Sequence, residues 1–301
     1  MDGELVPFRE AHAHLIDPIL HYGSDVFEEI RCYATERGPA IFRLDAHLKR
    51  FLDSVHVLDV HDMPYAMDEL RNAVHVTVQA NHFNECVIRP LLYFTTERGR
   101  NTNAYRPAVA VFAWDWATIA GGEQNSTGAR RLVSASPHQY SAAGMTNGRL
   151  DSQYLNPNLA KSNLPRAGLE DAIMLDPEGF VADYTGETLF LVRDGVIHAP
   201  PQTPAPAEVT RDTIITLAGD AGYTFVEERL SREQVLAADE LFVCDAMTGV
   251  VSVQEIDSRP VGNSHQYPVT SNLQDAYLQT IRGLGRRSRG WLDFVLGEPL
   301  Y

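Results

Sequence analysis

Lysine is almost missing from this chain. Of 25 lysines and arginines only Lys49 and Lys161 are lysines, so chemistry that needs a neutral side-chain amine has two candidates. Basic surface is missing too. A net charge of −15 and scattered basic residues leave no face for a phosphate backbone, which excludes nucleic acid as a partner. No run approaches the about 20 apolar residues of a bilayer span. The opening MDGELVPFREAHAH is polar and acidic where a secretory signal needs a basic start and an apolar stretch. The expectation is a cytoplasmic protein with no membrane partner. Cys32, Cys86 and Cys244 are far apart and lack metal-ligand spacing, so a reduced compartment and no metal are expected. Neither G-x-G-x-x-G nor a P-loop pattern occurs.

What is present is enough apolar material for two cores: 301 residues, 44% of them hydrophobic. Asp45 is placed to cap a helix carrying Leu48, Phe51, Leu52 and Val55, and Met67, Leu70, Val74 and Val78 mark another. CVIRPLLYF and AVAVFAW read as buried strands. TIAGGEQNSTGARR, residues 118–131, loses the apolar pattern and reads as a linker between domains at 1–117 and 132–301. Beyond it a helix is expected from near Tyr154 to Gly168, then strands in DAIMLD and FVADYT, and a tight hairpin at Arg193-Asp194-Gly195. Thr210 is placed to cap RDTIITLAGDAG, and Ser231 with Gln234 makes a capping box. The class is α+β.

HYGSDVFEEIRCY, IFRLDAHLKRFLDS, VIRPLLYF, YLNPNLAKSNLPRAGLEDAIMLD, TGETLF, VTRDTIITLA and DSRPVG stand in this order along nearly the whole chain. Together they resemble the branched-chain amino-acid aminotransferases, of the class IV pyridoxal-phosphate fold shared with D-amino-acid aminotransferase. The resemblance implies two α/β domains, an active site between them, a homodimer and a small-molecule substrate. It gives Arg50 the grip on the cofactor phosphate and Val209 and Thr210 a backbone cup for the same group, where helix N–H groups favour an anion. Tyr22, Phe27, Arg89, Trp114 and Tyr154 fall on pocket-lining positions.

The departures concern chemistry. In the family a lysine five residues before the YLN tyrosine forms the Schiff base; counting back from Tyr154 reaches Arg149. A guanidinium stays protonated and has no lone pair for a carbonyl. Lys161 reads as a solvated helix residue, and Lys49 neighbours the phosphate-gripping position. Where the family has a Gly-Thr pair that binds phosphate, this chain has Asp245-Ala246. Like charges about 4 Å apart repel by about 4 kcal/mol at an effective dielectric of about 20. Asp183 replaces the glutamate that faces the pyridine nitrogen, Glu29 replaces a pocket glycine, and Val87 stands where a tyrosine precedes I-R-P; Glu187 matches a second, structural glutamate.

Glu29, Arg149, Asp183 and Asp245 would bring new charges into one enclosed space, where such groups can supply acid and base. The expectation is an enzyme with no cofactor, in which Arg149 holds an anionic group and Asp183, Asp245 or Glu29 moves a proton. The reaction would be of lyase, isomerase or cyclase type on a small organic acid or amino-acid-like substrate. Two alternatives stay open: a pyridoxal-phosphate-dependent aminotransferase, and a binding homologue without chemistry.

Overall fold

The computed structural model describes residues 1–96, 105–119, 131–139, 171–176, 178–184, 187–201, 208–262 and 266–295. They group into two units, one from the described residues of 1–119 and 281–295, the other from those of 131–280. Among these residues no helix is long and apolar enough to cross a membrane.

The first unit holds an antiparallel sheet of β1 (Val26–Phe27), β2 (Ile30–Thr35), β3 (Gly38–Phe42), β4 (Cys86–Thr96), β5 (Tyr105–Asp115) and β15 (Leu292–Phe294). β4 is its axis, paired with β5 along one edge and with β1 and β2 along the other. The expected strands CVIRPLLYF and AVAVFAW fall inside β4 and β5. β15 pairs with β3, so the end of the chain joins the first sheet, whereas a single boundary at 118–131 groups it with the second.

Helices α1 (Pro18–Tyr22), α2 (Leu44–Val57), α3 (Met67–Asn81) and α4 (Trp116–Ile119) accompany this sheet. Helical spacing gathers Leu44, Leu48, Phe51 and Val55 on one face of α2, and Leu70, Val74 and Val78 on one face of α3. Both faces bury against Ile30, Ile41, Ile88 and Leu92. Asp45 is not the cap of α2: the helix starts at Leu44 after a left-handed Arg43 (φ 50°), and Asp45 pairs with Arg71 of α3. Cys32 and Cys86, distant in sequence, stand opposite each other on β2 and β4, fully buried. The hydrogen bond that the Cys32 thiol makes to Cys86, with burial, pushes its pKa far above the ordinary range.

The second unit holds a mixed sheet of β6 (Arg131–Gln139), β7 (Asp171–Leu175), β8 (Val181–Tyr184), β9 (Thr188–Arg193), β10 (Val196–Ala199), β11 (Phe225–Glu227), β12 (Glu240–Asp245), β13 (Gly249–Ile256) and β14 (Arg259–Pro260). The strand order is β11-β10-β9-β12-β13-β6-β7-β8, with β14 on β13. β9, β12 and β13 are nearly unbroken buried runs, as strands covered on both faces must be. Phe190 stacks on Phe242 at 4.8 Å between them. The turn between β9 and β10 has positive φ at Asp194 (50°) and Gly195 (76°), the tight hairpin expected of Asp-Gly.

Helices α5 (Val209–Asp220), α6 (Arg232–Leu236) and α7 (Pro268–Ile281) follow, and α8 (Ser288–Trp291) belongs to the first unit. Ser231 and Gln234 form the expected capping box of α6. α5 starts one residue before Thr210, with Glu208 in the N-cap place. α7 is tied down by Glu240, whose buried carboxylate accepts from Val269 N (3.0 Å), Thr270 N (2.8 Å) and Thr270 Oγ1 (2.7 Å). These charge-assisted bonds satisfy N–H groups that the first turn cannot pair internally.

Glu240→Ala therefore lowers unfolding stability by about 2–4 kcal/mol, and Glu240→Gln, which keeps acceptor oxygens, by less; urea melts measure both. The three cysteines are all buried and free. A thiol reagent is expected to label none in the native state within the time in which it labels all three in denaturant.

Candidate active site

In the first unit the chemistry is organised by a fully buried carboxylate. Glu28 follows β1, and its N–H donates to Pro90 O of β4 (3.1 Å). Across from it, α2 presents His47 and Arg50, three residues apart and so on one helix face. Arg50 Nε donates to Glu28 Oε1 and Arg50 Nη2 to Oε2, each at 2.7 Å, and His47 Nδ1 lies 3.0 Å from Oε2. Neither Glu28 nor His47 was marked by reading the sequence. The available signal was the Glu28-Glu29 doublet beside a helix with two basic residues on one face. Arg50, assigned by resemblance to grip a phosphate, already spends Nε and Nη2 on Glu28.

Strand alternation builds a second cluster. Val87, Arg89 and Leu91 share one face of β4, and on neighbouring strands Trp114, Phe112 and Phe27 stand opposite these residues. The Arg89 guanidinium lies 4.7 Å from the Phe27 ring centre and 5.4 Å from that of Trp114, which stacks on Phe112 at 5.9 Å. Arg89 Nη2 donates to Glu29 Oε1. Phe27, Arg89 and Trp114 thus lie in mutual contact, and Glu29 is bound to Arg89. Tyr22 ends α1 and is 72% exposed.

In the second unit the elements meet at the ends of β9 and β12 and the start of α5. Val209 and Thr210 form the first turn of α5, and Glu208 adopts an extended conformation before it without a side-chain capping bond. An acidic N-cap complements the helix dipole and competes with any other anion there. Asp245 closes β12, and its Oδ1 accepts from Met247 N (3.0 Å), Thr248 N (2.5 Å) and Thr248 Oγ1 (2.6 Å). Thr248 Oγ1 is also 3.5 Å from Glu187 Oε1. Burial pushes the neighbouring Cys244 thiol well above its ordinary range. Glu208, Asp245 and Glu187 add to that, while Arg211 opposes it. Arg211 is itself engaged by Pro200 O (3.1 Å) and Glu227 (2.7 Å). Asp183 lies in β8 opposite Met174.

Lys49 Nζ is 2.6 Å from Asp53 Oδ2, one turn along α2, and its side chain is 74% exposed. A solvated, paired ammonium is not the desolvated amine that attacks a carbonyl. Arg149, Tyr154 and Lys161 lie outside the described residues, as do most of 118–131 and the helix expected after Tyr154. Among the described residues no group of three or more His, Cys, Asp or Glu side chains could hold a metal ion.

The family described as Amino-transferase class IV matches residues 25–256. The branched-chain-amino-acid aminotransferase of Pseudomonas aeruginosa is 36% identical over 295 residues, covering 98% of this chain and 96% of that protein. Its counterpart from Escherichia coli K12 is 34% identical over 302 residues, with 98% and 96% covered. Among solved structures, the T.th. branched-chain amino acid aminotransferase complexed with N-(5'-phosphopyridoxyl)-L-glutamate superposes with a TM-score of 0.87. It is 39% identical, with 98% of this chain and 97% of that one covered. The Escherichia coli branched-chain enzyme gives 0.89 at 31% identity, with 98% of each chain covered. Matching sheets, helices and colinear motifs over almost the full length lead to one assignment: the chain belongs to the class IV aminotransferase family.

Proposed function

We propose that this chain uses the class IV scaffold to bind a small amino-acid-like or organic acid and acts on it by acid–base chemistry, of lyase, isomerase or cyclase type, without a lysine-linked cofactor. The observation that carries this reading is the lysine inventory. Arg149 stands where the resemblance puts the family's Schiff-base lysine, and Lys49 is paired with Asp53 on the surface of α2. At position 149 a guanidinium has no lone pair to join to pyridoxal phosphate, and the Lys49 amine is solvated and paired.

The substrate side of the reading rests on the Phe27 and Trp114 rings beside the Arg89–Glu29 pair, an apolar setting for a substrate's hydrocarbon part. Arg149 is the anion holder in this scheme, and Asp183 the group that moves a proton. Asp245 leaves the list of proton-transfer candidates, because its Oδ1 is committed to three donors of its own loop. Glu29 leaves it as well, since it neutralises Arg89. A homodimer and a cytoplasmic setting belong to the same proposal.

A second reading, aminotransfer with pyridoxal phosphate, is favoured by the relatives. The T.th. enzyme has structures with pyridoxamine 5'-phosphate and with a phosphopyridoxyl-glutamate, so the comparisons lend no support to an absent cofactor. In this chain that reading needs Lys161 as the amine.

The two readings part in a reduction experiment. Purified protein incubated with pyridoxal phosphate and reduced with borohydride is expected to stay colourless and to carry no stoichiometric phosphopyridoxyl group. Arg149→Lys combined with Asp245→Gly and Ala246→Thr is expected to gain such a group at residue 149. A stoichiometric adduct on Lys161 of the unaltered chain would establish the aminotransferase reading instead.

A further inference from the structure

The loop between β12 and β13 holds a carboxylate of its own where an outside anion would sit. Asp245 pairs with Gly249 across the hairpin, leaving Ala246, Met247 and Thr248 as the loop. Gly249 closes it in the left-handed region (φ 67°), where an added Cβ would meet Tyr277 Cε1 at 3.0 Å. Within this frame two successive backbone N–H groups, of Met247 and Thr248, and the Thr248 hydroxyl converge on one point. Converging backbone donors make an anion-binding concavity. Asp245 Oδ1 fills it, at 2.5–3.0 Å from the three donors.

The surroundings strengthen the effect. Glu187 reaches the same hydroxyl, Glu208 precedes α5, and both act on the thiol of Cys244 together with Asp245. Arg211, the cation that acts on the same thiol, is held by Pro200 and Glu227. An entering phosphate would have to displace Asp245 from its donors and remain beside a carboxylate that had lost them.

We infer that Asp245 is a built-in occupant of an anion-binding loop, so that the native chain refuses phosphate groups at this loop and accepts them once the carboxylate is removed. The inference does not rest on the missing lysine. A chain with lysine at 149 and Asp245 intact would still refuse the phosphate, and a chain with Arg149 but no Asp245 would take it.

Inorganic phosphate is the probe, followed by equilibrium dialysis and by thermal unfolding against chloride at equal ionic strength. Asp245→Ala is expected to bind phosphate at least tenfold more tightly than the unaltered chain. Its melting midpoint is expected to start lower and to rise with phosphate more than that of the unaltered chain. Asp245→Asn keeps the shape of the turn and loses the charge, so it guards against a failure of the alanine variant to fold; it is expected to bind at least threefold more tightly than the unaltered chain. Equal phosphate affinity in the unaltered chain and both variants would show that Asp245 only shapes the turn, and would overturn the inference. Since no aldehyde takes part, the outcome is independent of any lysine adduct.

Discussion

Glu28 has no exposure to solvent, and a carboxylate removed from water has to be met by positive groups and hydrogen bonds or it does not stay charged. The fork of Arg50 and the ring of His47, both on α2, are among the groups that meet it. That requirement fixes α2 in rotation as well as in place. A turn of the helix by one residue would break the Arg50–Glu28 pair, at a cost of about 3–5 kcal/mol for a broken buried pair. With α2 held, Leu48, Phe51 and Val55 face the sheet, and β1 is held against β4 by Glu28 N and the pairs Val26↔Leu92 and Phe27↔Leu91. The same strands carry Phe27, Arg89 and, through β5, Trp114. The aromatic and cationic wall of the first unit thus inherits its geometry from one ion cluster.

The second unit is arranged by the opposite shortage. Relatives of the same fold include structures with phosphorylated pyridoxyl compounds, while this chain places Glu187, Glu208 and Asp245 around the end of β12. Carboxylates there satisfy the loop donors and complement the start of α5, so the local backbone is content without an outside anion. Adding a negative group to such a place means unmaking hydrogen bonds as well as opposing charge. Family membership and altered chemistry are therefore compatible. The fold depends on the buried runs of β9, β12 and β13, and the chemistry on loop and helix-end positions that can change without disturbing them.

Much of this was legible from the residues. Apolar runs in CVIRPLLYF and AVAVFAW, the Asp194-Gly195 turn and the Ser231–Gln234 box each carry their structural cause within a few residues, and each is found as expected. Helix starts were less legible. Asp45 looks like a cap but answers to Arg71, a residue of another helix, and Glu208 rather than Thr210 precedes α5. The Cys32–Cys86 neighbourhood, the return of β15 to β3 and the Glu28 cluster all depend on register between distant segments, which local pattern does not encode. The charge departures at 29 and 245 were visible as residue types, yet their partners were not. Glu29 meets Arg89, and Asp245 turns onto its own loop, because the nearest unsatisfied donors lie there.

On the proposed reading this chain has exchanged a phosphate-binding, lysine-bearing site for one occupied by its own charged side chains. Electron density from crystals grown with excess pyridoxal phosphate tests that exchange most directly. The expected density shows the Asp245 carboxylate on the N–H groups of Met247 and Thr248, the Arg50 fork on Glu28, and nothing joining a ring to residue 149 or 161. A phosphate seated on the Met247 and Thr248 N–H groups, with Asp245 swung away and continuous density from the ring to Lys161, would contradict it.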